Sequence, residues 1–134
     1  MIEIGGEVVL AQYHGTAHTT GDVIVLFEKA NVVHMGDLMF NRLYPVIDRI
    51  SGGRIKGWIA VLEEAAKNYP ADAIYIFGHG NTKFGPTGKR GDLLVFRDYL
   101  SGLLDYTAKK IAAGDAKEKI MALENLPGFE DFHS

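Results

Sequence analysis

The chain has 134 residues, 47% of them hydrophobic and 23% charged, with a formal net charge of −3 and a pI near 5.9. This length and balance describe one packed domain at most and exclude a disordered segment. The acidic balance excludes a basic nucleic-acid surface, and no apolar run nears the roughly 20 residues that cross a bilayer. Without cysteine there are no disulfides and no thiolate metal sites, and the compartment is left open.

The N-terminus, Met1-Ile2-Glu3-Ile4, has neither the basic nor the apolar region of a leader. It enters a strand pattern at once, which reads as a start set by truncation. Ile2 to Ile4 and Glu7 to Tyr13 read as strands joined by the hairpin signal Gly5-Gly6. Asp22 to Phe27 and Val32 to His34 form a second pair, turned by Glu28-Lys29-Ala30-Asn31. Their β-branched, nearly continuous apolar runs suit strands covered on both faces.

Past the loop at Gly52-Gly53, apolar residues at Ile55, Trp58, Ile59, Leu62 and Ala66 predict an amphipathic helix from Ile55 to Tyr69, closed by Pro70. Ala73 to Phe77 reads as a buried strand and Asn81 to Gly91 as a loop. A long helix is predicted from Asp92 to Ala113, with Leu93, Phe96, Leu100, Leu103, Thr107 and Ile111 on one face. Gly114 ends it, and Asp115 caps a short helix to about Leu123. The tail from Asn125 to Ser134 carries Leu126, Phe129 and Phe132, enough apolar surface to dock. The order predicts an α/β layered (α+β) unit on a mostly antiparallel sheet.

Three stretches carry chemistry: Gly15-Thr16-Ala17-His18-Thr19-Thr20-Gly21-Asp22, His34-Met35-Gly36-Asp37-Leu38-Met39-Phe40 and Phe77-Gly78-His79-Gly80. His18, Asp37 and His79 each stand just past a predicted strand beside glycine or another small residue. Imidazole and carboxylate are the groups that bind Zn²⁺ or a similar ion where cysteine is lacking. Together these ordered motifs resemble the C-terminal half of a metallo-β-lactamase-superfamily hydrolase, over residues 1–113, with a short helix and tail over 114–134.

The resemblance implies half of an αββα sandwich, which dimerisation would complete. It implies His18 as a ligand of a first metal, Asp37 as the catalytic carboxylate bridging two metals, and His79 as a ligand of the second. The ions would be zinc, or iron or manganese given the hard Asp37 ligand, with up to two in the whole site. The family's other ligands lie on an H-x-H-x-D-H loop of the N-terminal half. No H-x-H occurs here, so this chain alone is expected to be inactive. The whole site would activate water against a small-molecule ester, thioester, amide or phosphoester.

Asp22 and Thr19 read as groups that order the His18 loop, His34 as a packed sheet histidine, and His14 as a rim or surface residue. His133 has no assigned role. Asn41 and Arg42 read as solvent-facing neighbours of the site, and Lys83, Lys89 and Arg90 as a solvated basic loop. Two functions compete: part of a metal-dependent hydrolase, or a non-catalytic half-domain that self-associates and binds at most a residual metal. Without the other half of the sandwich, Val8, Leu10, Val23, Val25 and their neighbours are expected to include residues left exposed, on a face that drives homo-oligomer formation. Nucleic-acid and membrane partners are not expected.

Overall fold

The computed structural model describes residues 1–134. Its elements are β1 (Ile2–Ile4), β2 (Glu7–Tyr13), β3 (Val23–Phe27), β4 (Val32–Asn41), α1 (Ile55–Asn68), β5 (Ile74–Gly80), β6 (Thr87–Gly88), α2 (Arg90–Ala112) and α3 (Lys117–Met121). The strands form one six-stranded sheet in chain order. Every neighbouring pair is antiparallel except β4 and β5, which run parallel with α1 as the crossover between them.

Two elements run past their predicted ends. β4 continues through Gly36 and Asp37 to Asn41, and β5 continues through Gly78 to Gly80. The register between them slips at His34/Gly36 and again at Gly36/Phe40. Gly36 has φ of +54°, a left-handed conformation open to glycine without penalty. The chain thus bends there and returns to pairing. A sequence pattern sees that bulge as a turn.

The helices cover one sheet face. α1 buries Trp58, Val61, Leu62 and Ala65, while α2 buries Leu93, Phe96, Tyr99 and Leu100. They meet Ile24 of β3, Val33 and Met35 of β4, and Tyr75 and Phe77 of β5 in a single core. The expected stripes shift in two places. On α1 the buried alanine is Ala65 and not Ala66, and on α2 the stripe stops before Ile111, which is 63% exposed. α2 begins two residues before its expected start because Asp92 accepts the Lys89 N–H through Oδ2 at 2.8 Å, closing the first turn. No helix is long and apolar enough to cross a membrane.

The tail does dock. Phe132 is buried and stacks on Tyr99 at 4.2 Å between ring centroids, with Phe129 edge-on to both. Leu43 and His133 form a parallel bridge, so His133 has a backbone role that its place in an irregular tail does not reveal.

The other sheet face has no covering layer. Strand register assigns it the odd-numbered residues of β2 and β3, together with Val32 and His34 of β4 and Ile74 and Ile76 of β5. Val23 and Val25 are on this face as expected. Val8 and Leu10 are not: Leu10 pairs with Leu26 on the helix side, and two residues on Gln12 accepts the Tyr69 hydroxyl at 2.7 Å. A strand's alternation moves neighbours to opposite faces, which four names chosen by hydrophobicity cannot resolve.

Burial raises the phenol pKa values of Tyr69, Tyr75 and Tyr99 to about 12. The folded chain holds these protons more tightly than the unfolded chain, whose phenols ionise near 10. Their contribution to stability is therefore complete below pH 10 and is lost as pH rises through 12. Absorbance at 295 nm is expected to show three phenols ionising only together with alkaline unfolding. A smooth titration of all six near pH 10 with the fold intact would contradict this.

Candidate metal centre

The site forms where β4 and β5 run side by side past the bulge. Phe40 pairs with His79 and Gly36 with Phe77, which sets Asp37 next to Gly78. A Cβ on Gly78 would lie 2.4 Å from Asp37 Oδ1 and 2.7 Å from the Gly36 carbonyl group, so only glycine permits this approach. His18 arrives from the loop between β2 and β3. Within that loop, Asp22 Oδ2 accepts the Thr19 N–H at 2.5 Å and the Thr19 hydroxyl at 3.0 Å. The ordering role expected of Asp22 and Thr19 is thus present in the structure.

The three side chains come together around the Asp37 carboxylate. His79 Nε2 is 3.1 Å from Oδ1 and His18 Nε2 is 3.9 Å from Oδ2, so each imidazole faces its own oxygen. His18 Nδ1 lies 2.8 Å from the Val46 carbonyl. A carbonyl only accepts, so Nδ1 carries the proton and the Nε2 lone pair faces Asp37. Asp37 and His79 are half-exposed, and His18 is nearly buried.

Aromatic rings hold both imidazoles. His79 stacks on Phe40 at 4.4 Å and 17° between planes. His18 sits 5.2 Å from Trp58 and 5.7 Å from Phe40. Trp58 is locked in turn by its Nε1–H donating to the Leu38 carbonyl at 2.9 Å. In the sequence Trp58 belongs only to a helix stripe and Phe40 only to the end of a motif, since periodicity says nothing of which end of a core meets a site.

Asp48, on the loop after Val46, is a further carboxylate that the sequence did not single out. Hydrogen bonds from the Ser51 side chain and then its N–H hold Asp48 below the usual aspartate range, with a smaller contribution from His18 nearby.

The remaining candidates lie elsewhere. His14 is half-buried, with Nε2 2.8 Å from the Tyr69 hydroxyl, and His34 accepts the Gly36 N–H through Nδ1 on the uncovered sheet face. Asn41 is buried and binds the Gly85 carbonyl, while Arg42 pairs with Asp92 and lies over the Phe84 ring. They clamp the end of β4 to the β5–β6 loop and to α2, so neither faces solvent as expected. Lys83 pairs with Asp131 and Arg90 reaches the Tyr69 carbonyl, which separates the basic loop into individual contacts.

Donor types fit a divalent cation: two imidazole nitrogens and a carboxylate, with one tautomer set by a backbone carbonyl. No group of three or more such side chains encloses a single point as an ion's ligand set would. A cavity of about 490 Å³ between Arg42, Val95 and the tail at Gly128 to Phe132 is separate from these residues.

Residues 1–114 match the family model of the metallo-beta-lactamase superfamily. The chain belongs to this superfamily. Among solved structures it is similar to a metallo-beta-lactamase from Pontibacter korlensis, with 20% identity and a TM-score of 0.62 over 75% of this chain and 44% of that one. It is also similar to the DIM-1 metallo-beta-lactamase, with 21% identity and a TM-score of 0.58 over 73% of this chain and 43% of that one. At such identity these likenesses show the superfamily's fold, and the chain spans less than half the length of either structure. No curated protein matches it.

Proposed function

We propose that residues 1–113 form the C-terminal half of a metal-dependent hydrolase site, with His18, Asp37 and His79 as its metal ligands. One observation carries the reading: Asp37 stands between two imidazoles, one for each carboxylate oxygen. A carboxylate so placed would suit a pair of divalent ions, which Asp37, His18 and His79 would help to hold. That two-point arrangement also accounts for the lack of a closed three-ligand group around one point.

Zinc, or iron or manganese, bound there would lower the pKa of water and polarise a carbonyl or phosphoryl oxygen. The chain's own residues have preparatory roles. The Val46 carbonyl holds His18 in the tautomer that presents Nε2, Phe40 fixes the plane of His79, and Gly78 lets Asp37 lie against the β5 backbone. The expected substrates are small esters, thioesters, amides or phosphoesters, and the ligands that complete the site come from beyond these residues.

A second reading is favoured by the open ligand set and by the bare sheet face: a non-catalytic half-domain that self-associates and binds at most a residual metal. Titration of the chain with Zn²⁺, Mn²⁺ and Fe²⁺, followed by a panel of p-nitrophenyl esters and phosphoesters, tests the ligand assignment. Metal is expected to bind and to be lost in His18→Ala, while turnover by the chain alone stays at the level of free metal. Binding of none of the three ions would overturn the ligand assignment and leave the second reading. Turnover above free metal would overturn the half-site.

A further inference from the structure

We infer, on the metal-centre reading proposed above, that His34 is a positioning residue. Its imidazole locks the bulge at Gly36 that aims Asp37 between His18 and His79.

The bulge is where β4 and β5 lose step. His34 pairs with Ile76 and Phe40 with His79, so six steps along β4 answer three along β5. Residues outside the ladder lack the paired contacts that fix a regular strand, so something else has to set their direction. Asp37 lies within this stretch, and its direction follows from the backbone of Gly36 just before it. Gly36 turns the chain with φ of +54°. Glycine reaches that conformation freely, but it reaches many others as freely. The residue that permits the turn therefore does not hold it.

His34 holds it. Its Nδ1 accepts the Gly36 N–H at 3.1 Å. An imidazole nitrogen accepts only when it carries no proton, so the neutral ring has its proton on Nε2. Nδ1 is attached to Cγ, as the side-chain oxygen of asparagine is, and the contact to the residue two on reproduces an Asx turn. On its other side Gly36 packs against Gly78, where a Cβ would come within 2.7 Å of the Gly36 carbonyl group. Gly36 is thus held at its N–H by a side chain and at its carbonyl by a backbone. Donor and acceptor of the hydrogen bond both belong to β4, so the lock does not depend on what covers the sheet.

The effect on metal is indirect. An Asp37 free to swing would have to be ordered as the ion binds, and that cost falls on affinity. His34 removes it beforehand.

Two substitutions separate this role from simple support of the strand. His34→Phe keeps a flat ring suited to a strand, between the apolar partners Val25 and Ile76, and removes the acceptor. His34→Asn keeps an acceptor in place and is the poorer strand residue. In the metal-free chain, hydrogen exchange at the Gly36 amide, followed by NMR, should quicken about threefold or more in His34→Phe. It should stay near wild type in His34→Asn. Zinc affinity by isothermal titration should fall about tenfold or more in His34→Phe and stay within about threefold in His34→Asn. Thermal unfolding should rank the two the other way, with His34→Asn the less stable. Zinc affinity equal in the two variants, or higher in His34→Phe, would overturn the inference. So would Gly36 exchange that His34→Phe leaves unchanged, a comparison that stands even if His34→Asn does not fold. Quickened exchange in His34→Phe beside a wild-type chain that binds no zinc would keep His34 as the lock and strike the ligand assignment instead.

Discussion

Asp37→Ala is expected to abolish divalent-metal binding while leaving the fold intact. The side chain is about half-exposed, at 51%, and supports no core contact, so its removal costs little stability. Its removal takes away the only carboxylate that faces both His18 and His79. Loss of an outer partner costs roughly 10–100-fold in metal affinity. A direct ligand shared by two ions should therefore cost about 100-fold or more, measured by isothermal titration with Zn²⁺. Asp22→Ala, which disturbs only the His18 loop, should fall within the smaller range. An Asp37→Ala chain that binds within about threefold of wild type would remove Asp37 from the site.

Trp58→Ala is expected to give the largest loss of stability of any single substitution near the site. The ring is fully buried, packs on His18, Phe40 and Phe96, and donates to the Leu38 carbonyl. Truncating a buried Trp or Phe to Ala costs about 3–5 kcal/mol. Against the ~5–15 kcal/mol that holds most domains folded, that is a large share. A fall of roughly 10–20 °C in Tm follows for a chain of this length. Trp58→Phe keeps an aromatic wall and loses the indole hydrogen bond, so it should cost about 1–3 kcal/mol, mainly for the orphaned Leu38 carbonyl. Thermal unfolding followed by circular dichroism measures both. Equal losses for Ala and Phe would show that the hydrogen bond, and not the ring's packing, dominates.

Much of the fold was legible in the sequence, because hydrophobic period and punctuation coincide along most of the chain. Gly5-Gly6, Pro70 and Gly114 end elements where they were expected to, and the superfamily resemblance is carried by three short motifs in order. What the sequence hid depends on tertiary context. Residues 35–41 carry glycine and aspartate and read as a turn, yet a double register slip keeps them in β4 beside β5. Asp37 and His79 consequently project from paired strands instead of separate loops.

The three residues that meet around the Asp37 carboxylate could be named from residue type and motif, but their supports could not. The Val46 carbonyl that sets the His18 tautomer is a backbone atom, for which no side-chain pattern exists. Asn41 and Arg42 looked available for contact with solvent because their partners, Gly85 and Asp92, lie some 40 to 50 residues away in the chain. Likewise, the choice between Val8 and Val9 on the bare face needs the register, which hydrophobicity alone does not supply in an apolar run.

We propose that His18, Asp37 and His79 hold metal where β4 and β5 pair beyond the bulge. Anomalous diffraction at the zinc edge from crystals of this chain grown with Zn²⁺ tests it most directly. The account predicts density at ligand distance, about 2.0–2.2 Å, from Asp37 and from Nε2 of His18 or His79. Zinc found only at other residues, with these three side chains bare, would contradict it.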